Sequence, residues 1–326
     1  MTIDQTKSPS VPKRHRPRFR RCLATTILCC LVTGGIFTYV SFTSDIDAAN
    51  VRLARVRTEL YRGRHGDIEY LLSGEGQTVL ISHGVTGGID QGMHLTHEFS
   101  FFDRGYRFLY VSRFGYFKSS VPMNASAELQ AAAYKELLDH LGISRIFIFG
   151  NSAGGTSAMW LAIDHPECIK GLILHSSAIP GPLLPPPPAV IFSSDFLYWT
   201  SIKVVPDVLI GALVPEDILT TFTEQEKTFI IDNVYMASLP ITGRTAGIIF
   251  DNDISTPSVN QVPLEHLLVP TLILQSTDDP REKAGGEQLA RRIPNNDYVR
   301  LKGGHLLLRQ ADTVRFEITK FILAHK

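Results

Sequence analysis

The residues of this chain whose types and spacing fit chemistry are a serine framed by glycines, a late histidine behind two glycines, and a pair of aspartates before a proline. Gly150-Asn151-Ser152-Ala153-Gly154 has the G-x-S-x-G spacing. A serine on a tight turn between strand and helix must take a strained backbone, and Gly150 and Gly154 stand where side chains would clash. The motif directly follows the apolar run RIFIF (145–149) and directly precedes a run of helical character, the context such a turn requires. Ser152 is therefore the candidate nucleophile for attack on an acyl carbon. Its base should lie late in the chain, beyond the acid and the last strand. Only His305, in Leu301-Lys302-Gly303-Gly304-His305, fits, and the other ten histidines are assigned surface or loop positions. The acid that would orient the histidine should close the strand PTLILQ, where Asp278 and Asp279 precede Pro280 and are both candidates. The oxyanion formed on attack needs two amides. Ala153, after the serine, supplies one, and Val85 in His83-Gly84-Val85-Thr86-Gly87-Gly88, after the strand TVLIS, supplies the other. A phosphate-binding reading of that glycine-rich loop lacks both G-x-G-x-x-G and a Walker lysine. Asp90, Gln91 and Arg113 could shape a substrate site nearby, and loop hydrogen bonding would explain them equally well.

The segments around these residues say what must hold them. RTELYRGRHGDIEYLLSG (57–74) alternates in polarity about the Gly63 to Gly66 turn and reads as a hairpin. Short apolar runs then alternate with stretches of helical period. Strands are expected at 78–82, 107–112, 145–149 and 169–175, with helices near 92–104, 126–141 and 153–164. That is the pattern of a mostly parallel sheet flanked by helices. It breaks at Pro180-Gly181-Pro182 and the run Pro185 to Pro188, and resumes at 270–275. The intervening stretch carries DFLYW (195–199) and VPDVLIGALV (205–214) and reads as a helical, partly apolar cap inserted over 182–263. Phe196, Tyr198 and Trp199 could line a pocket there, although a cap core accounts for them as well. A helix near 282–293, a strand at 297–301 and a helix from about 310 to 324 finish the chain.

Lys plus Arg equals Asp plus Glu at 32 each, so no overall field would hold a polyanion, and nucleic acid is not an expected partner. The charge is nevertheless uneven. Lys13, Arg14, Arg16, Arg18, Arg20 and Arg21 crowd a tail over 1–21 just before the uncharged segment Cys22 to Phe42. At about 1.5 Å per residue that segment can cross a hydrocarbon core of roughly 30 Å. Asp45 and Asp47 follow it, with no basic residue until Arg52, so the positive-inside asymmetry predicts a single-pass anchor with a cytoplasmic N-terminus and an extracytoplasmic domain. The lipid bilayer is then a partner. A cleaved signal peptide is the rival reading, but its apolar core would be shorter, at about 7 to 15 residues, and close on a small-x-small site. A buried core helix is the third. Residues 43–62 are expected to hold a juxtamembrane segment and the first strand, and 63–181 with 264–326 the main domain. Cys22, Cys29 and Cys30 fall in the apolar segment, leaving Cys168 alone beyond it, so no disulfide can staple that domain.

The ordered set of HG loop, G-x-S-x-G, Asp278-Asp279-Pro280 and Gly303-Gly304-His305, with an insertion between the sixth and seventh core strands, resembles the alpha/beta-hydrolase superfamily over residues 63 to 326. More narrowly, HGVTGGIDQG (83–92), SRFGYFKSS (112–120) and GNSAGGTSA (150–158) are similar to bacterial members without an assigned substrate. The chain departs from many relatives in carrying Asn151 and Ala153 on either side of the serine, where those have His and Met, and Ser152 argues against members that use an aspartate nucleophile. The resemblance implies the alpha/beta-hydrolase fold and an enzyme with a Ser152, Asp279, His305 triad. It favours Asp279 over Asp278 by spacing, and implies no metal and no cofactor. The expected substrate is a small molecule, a carboxylic ester or related acyl compound. An aminopeptidase, for which Glu216, Asp217, Glu224 and Glu226 could hold a free amine, and a carbon-carbon hydrolase stay open within the same chemistry. A non-catalytic ligand-binding scaffold stays open outside it, since a fold alone does not make an enzyme.

Overall fold

The computed structural model describes residues 16–182, 188–279 and 286–326. Most of the basic tail, nearly all of the Pro185 to Pro188 run and the start of the helix expected at 282–293 lie outside them. The chain divides into two compact units, 1–47 and 48–326.

In the first unit the main feature is helix α1 (Arg16–Ala54), which ends inside the second unit. Leu23, Leu28, Leu31, Ile36 and Phe37 on it are all exposed. Its stretch from Cys22 is long and apolar enough to cross a membrane, a test that a signal sequence near the N-terminus also passes. The helix does not stop at Phe42 as expected. No Gly or Pro interrupts Ser44 to Ala54, and Ala48, Ala49, Leu53 and Ala54 favour its continuation, so only the last residues of the expected 43–62 segment, from Glu59, are extended.

The second unit is built on an eight-stranded sheet in the order β1-β2-β4-β3-β5-β6-β7-β8. Its strands are β1 (Glu59–Gly63), β2 (Gly66–Gly74), β3 (Gln77–Ser82), β4 (Tyr106–Val111), β5 (Ile146–Asn151), β6 (Ile169–His175), β7 (Thr271–Ser276) and β8 (Asn296–Leu301). β1 and β2 form the expected hairpin and β2 runs antiparallel to β4; every pairing from β4 onward is parallel. The central strands are apolar at successive positions because both faces are covered. Ile146 and Ile148 of β5 point to one face, where they pack with Tyr134 and Leu137 of α3 (Ala127–His140) and Met159 of α4 (Gly154–Asp164). Phe147 and Phe149 point to the other, with Leu95 of α2 (Ile89–Thr96) and Ile318 and Phe321 of the C-terminal helix Ala311–Ala324.

α2 ends at Thr96, well short of the expected residue 104. A continuing helix would turn Phe101 and Phe102, adjacent in sequence, to different sides. Instead the chain leaves the helix and Ser100 takes a φ of 53°, which lets Phe101 and Phe102 both be buried.

The described residues between β6 and β7 form short helices, chiefly α5 (Asp195–Val204), α6 (Pro206–Gly211), α7 (Glu216–Leu219), α8 (Glu224–Ile230) and α9 (Thr245–Phe250). α8 and α9 each run on into a π-helical turn, Ile231–Tyr235 and Asp251–Ser255. Two buried arginines bind this insertion to the sheet domain. Arg113, after β4, donates to Asp251, which Tyr116 also contacts. Arg244 grips Asp90 with its two terminal guanidinium nitrogens, at 2.9 and 2.6 Å, and donates to the Gly87 carbonyl and, from Nε at 2.8 Å, to that of Ser238.

Candidate functional site

Ser152 sits at the turn between β5 and α4 with a φ of 51°, a left-handed backbone unusual for a serine. Its amide donates to the His175 carbonyl at 3.0 Å, and its carbonyl accepts from the amides of Gly155 and Ala178, so the strained turn is held on three sides. The glycines are required by closeness. A side chain at Gly154 would run into the carbonyl oxygens of Ser82 and His83, and one at Gly150 into Gly155 and Ala158. At Gly84 a Cβ would stand 3.0 Å from the Asn151 side chain and 3.1 Å from Ser152 Cβ, so that glycine lets the His83 loop press against the serine.

The structure brings Ser152, His305 and Asp279 together from three separate loops. Ser152 Oγ lies 2.9 Å from His305 Nε2, and His305 Nδ1 lies 3.2 Å from Asp279 Oδ2. Asp279 is fully buried. Such a relay can take a proton from the hydroxyl as it attacks and stabilise the imidazolium that results. The neighbouring Asp278 does something else. Its carboxylate accepts from the amides of Gly303 and Gly304, the latter at 3.0 Å, and from Ser276 Oγ, so it fixes the turn that carries His305. The insertion holds the same turn, because the His305 amide donates to the Leu213 carbonyl at 2.8 Å.

Among the described residues, the amides of Val85 and Ala153 donate to no other group of the chain. Gln91 braces the loop that carries Val85, accepting from the Gly84 amide at 2.7 Å. His83 is buried, its Nδ1 donating to the Gly84 carbonyl at 2.8 Å and its Nε2 accepting from the Arg113 amide at 3.0 Å. Asp90 and Arg113 are locked into the buried pairs already described and do not face a substrate. Burial pushes the Asp90 carboxyl up, yet Arg244 above all, with Arg52, overcomes this and holds it below its ordinary value.

Beside Ser152 and His305 is a cavity of about 50 Å³ lined by Leu95, Phe99, Phe101, Val234 and Leu306, with Gln91, His94, Asn151, His175 and Asn233 as its polar members and His305 at its edge. The expected cap aromatics are elsewhere. Tyr198 and Trp199 are buried in the insertion and Phe196 stacks on Trp199. The four acids that could have held an amine do not line the cavity either. Glu226 forms a capping box with Thr223 and pairs with Arg309 at 2.6 Å. No cluster of side chains able to hold a metal occurs among the described residues.

The placing of the remaining histidines on the surface or in loops needs correction at His175, which ends strand β6 and is buried; His83 does lie in a loop, but it too is buried. Each avoids the cost of a buried charge by staying neutral. Burial, assisted by Arg113, depresses His83 well below its usual range. Burial, assisted by His305, lowers His175 to about 3. In the unfolded chain each ring takes a proton near pH ~6.5. The unfolded chain therefore binds more protons below that value, so the stability these rings contribute is complete above it and declines as pH falls toward the folded values, by about 1.4 kcal/mol per pH unit for each ring. The urea midpoint of the detergent-solubilised chain should thus drop between pH 7 and pH 5, and His175→Phe should make that drop shallower. An equal drop in the variant would contradict the assignment of His175.

The family model described as the alpha/beta hydrolase fold matches residues 77–201. A curated relative, 2-hydroxy-6-oxo-6-phenylhexa-2,4-dienoate hydrolase of Comamonas testosteroni, is 36% identical over 110 residues, 33% of this chain and 38% of that enzyme. The chain spans about two fifths of the length of the curated relatives it matches. Among solved structures, an alpha/beta hydrolase fold protein from Nakamurella multipartita superposes with a TM-score of 0.65 at 20% identity, covering 83% of this chain and all of the other. A membrane phospholipase A, described as a bacterial virulence factor, superposes with a TM-score of 0.59 at 19% identity over 94% of this chain and 98% of its own. With the sheet order, the turn at Ser152 and the matched model in agreement, the second unit has the alpha/beta-hydrolase fold, and its residues 77–201 match that family.

Proposed function

We propose that this chain is a serine hydrolase that cleaves a carboxylic ester or related acyl substrate. The observation that carries the reading is the 2.9 Å approach of His305 Nε2 to a Ser152 hydroxyl held on a left-handed turn, with Asp279 behind the ring. In the mechanism His305 removes the Ser152 proton as Oγ attacks the carbonyl carbon, and the amides of Val85 and Ala153 bind the oxyanion. His305 then gives that proton to the departing alcohol, and water resolves the acyl-enzyme by the reverse sequence. The small, largely apolar cavity suits a short acyl group. Longer chains would require the insertion residues Asn233 and Val234 to move.

A second reading in the same chemistry is carbon-carbon bond hydrolysis, favoured by the name of the Comamonas relative. The N-terminal helix supports attachment to a membrane as a single span, with the preceding basic residues on the cytoplasmic side and the hydrolase domain on the other. Reaction of the full-length chain in detergent with a fluorophosphonate probe tests the central claim, and a panel of esters beside a 2-hydroxy-6-oxo-dienoate separates the two substrate classes. A folded chain that takes up no probe would point instead to a ligand-binding scaffold.

A further inference from the structure

The loop that carries Val85 is held in a conformation its own residues disfavour. Gly84 to Gly87 form a tight turn, closed by the Gly87 amide donating to the Gly84 carbonyl at 3.2 Å, with Val85 and Thr86 as its central residues. Thr86 takes a φ of 60°, a left-handed backbone that a β-branched residue keeps only where its surroundings impose it. Those surroundings come from the insertion. Ser238 Oγ lies 3.3 Å from Thr86 Oγ1. Arg244, fully buried, donates to the Gly87 carbonyl and holds both oxygens of the Asp90 carboxylate. Asp90 Oδ1 accepts from the Gln91 amide at 3.0 Å, and the Gln91 side chain accepts from the Gly84 amide at 2.7 Å. Arg244 therefore grips the turn at Gly87 directly and at Gly84 through Asp90 and Gln91, on both sides of Val85. Arg52 meets the same carboxylate from the last turn of α1, 3.8 Å from Asp90, while donating to the Ala237 and Leu239 carbonyls at 2.7 and 2.9 Å.

We infer that Arg244 is a positioning residue for the reaction: from the insertion it fixes the Val85 amide where the oxyanion forms, and Arg52 supports it through Asp90. The inference deepens the serine-hydrolase reading and rests on it for the role of Val85. Oxyanion donors contribute only if they already stand within reach of the charge as it develops, and a loop free to relax gives up that alignment. Relaxation of Thr86 from its left-handed φ rotates the peptide planes of the turn, and the Val85 N–H lies in one of them. Arg244 acts at a remove from the triad. Among the described residues its hydrogen bonds go to Gly87, Asp90, Ala237 and Ser238, and its guanidinium carbon lies 4.4 Å from the centre of the Phe117 ring. A lysine in its place would keep a charge for Asp90, but its single nitrogen could not serve Gly87, Asp90 and Ser238 together.

The test gives the full-length chain in detergent p-nitrophenyl butyrate and its thiono counterpart, in which C=S replaces C=O. Sulfur is a weak hydrogen-bond acceptor, so the oxo-to-thiono ratio of kcat/KM reports what the oxyanion donors contribute. Arg244→Lys should lower kcat on the oxo ester by roughly 10- to 100-fold with KM changed less than about threefold, and should shrink the ratio by nearly the same factor as kcat. Arg52→Gln, farther from the loop, should lower both by roughly 3- to 10-fold. Were Arg244 only a tie between insertion and sheet domain, KM would rise and both esters would lose alike. A ratio in Arg244→Lys equal to that of wild type would therefore overturn the inference. If Arg244→Lys fails to fold, Arg52→Gln decides by the same ratio, since the Arg52 side chain is 36% exposed and its loss strands less buried charge. Failure of the hydrolase reading is separated by a measurement that needs no turnover, amide exchange over residues 84–88 with and without Arg244→Lys. The Gly84 and Gly87 amides, both hydrogen-bonded within the chain, should exchange about tenfold faster in the variant, with β5 amides unchanged. That result, in a chain whose wild type takes no fluorophosphonate, would sustain the hold of Arg244 on the loop while removing the hydrolase. Unchanged exchange at Gly84 and Gly87 would overturn the inference whichever esters are cleaved.

Discussion

Ser152→Ala is expected to abolish fluorophosphonate labelling and to lower kcat on a responsive ester by roughly a millionfold, the loss seen when one member of a cooperating triad is removed. The size follows from the geometry. Without Oγ there is no nucleophile for His305 to activate, and the chain is left with whatever the Val85 and Ala153 amides can do for attack by water. The substitution should leave the fold intact. The left-handed φ of 51° is held by the backbone bonds to His175, Gly155 and Ala178, not by the hydroxyl. Folding should therefore be checked by thermal melting, with a Tm within a few degrees of wild type. A Ser152→Ala chain that still hydrolysed the ester at the wild-type rate would remove Ser152 from the chemistry and with it the proposed mechanism.

Some of this site is written locally in the sequence and some is not. The Ser152 turn is legible because its requirements are local: a strand of consecutive apolar residues, then glycines at two fixed positions around a serine. The sheet is legible for a related reason, since β3, β5, β6 and β7 are covered on both faces and so read as apolar runs. The cavity is a different matter. Phe99 and Phe101 belong to a segment of helical composition whose helix ends early, and the signal for that departure is the tertiary path that buries Phe101 and Phe102. Asn233 and Val234 reach the cavity from a π-helical turn, which carries no sequence signature. The Arg244 to Asp90 pair joins residues 154 positions apart, so no spacing rule could find it. His175 was hidden as the last residue of an apolar strand. The clue lay in topology, because ligands in parallel sheets gather at the carboxyl ends of strands, and His175 ends one beside Ser152.

Asp278 and Asp279 show how two adjacent, chemically identical residues come to do different work, and their variants are expected to separate accordingly. Asp279 approaches His305 Nδ1 at 3.2 Å from a fully buried position. With Asp279→Asn the ring can turn its protonated nitrogen toward Ser152, where it cannot accept the hydroxyl proton, and kcat should fall by about 10⁴-fold with the fold retained. Asp278 touches no ring. It accepts from the Gly303 and Gly304 amides and from Ser276 Oγ, so Asp278→Ala should loosen the turn beneath His305 and leave two buried or half-buried amides without their acceptor. The expected cost is about 1–3 kcal/mol in urea unfolding, with a smaller loss of kcat, roughly 10- to 100-fold, from a misplaced base. Asp278→Asn, which keeps an acceptor oxygen for those amides, should recover most of the stability and most of the rate. Asp279→Asn should show no such recovery, because the missing element there is the charge and the tautomer it imposes. Steady-state kinetics and urea unfolding on the same four proteins, wild type included, distinguish the two roles. If Asp278→Ala lost more activity than Asp279→Asn at unchanged stability, the acid would have to be moved to Asp278 and the His305 ring turned to meet it.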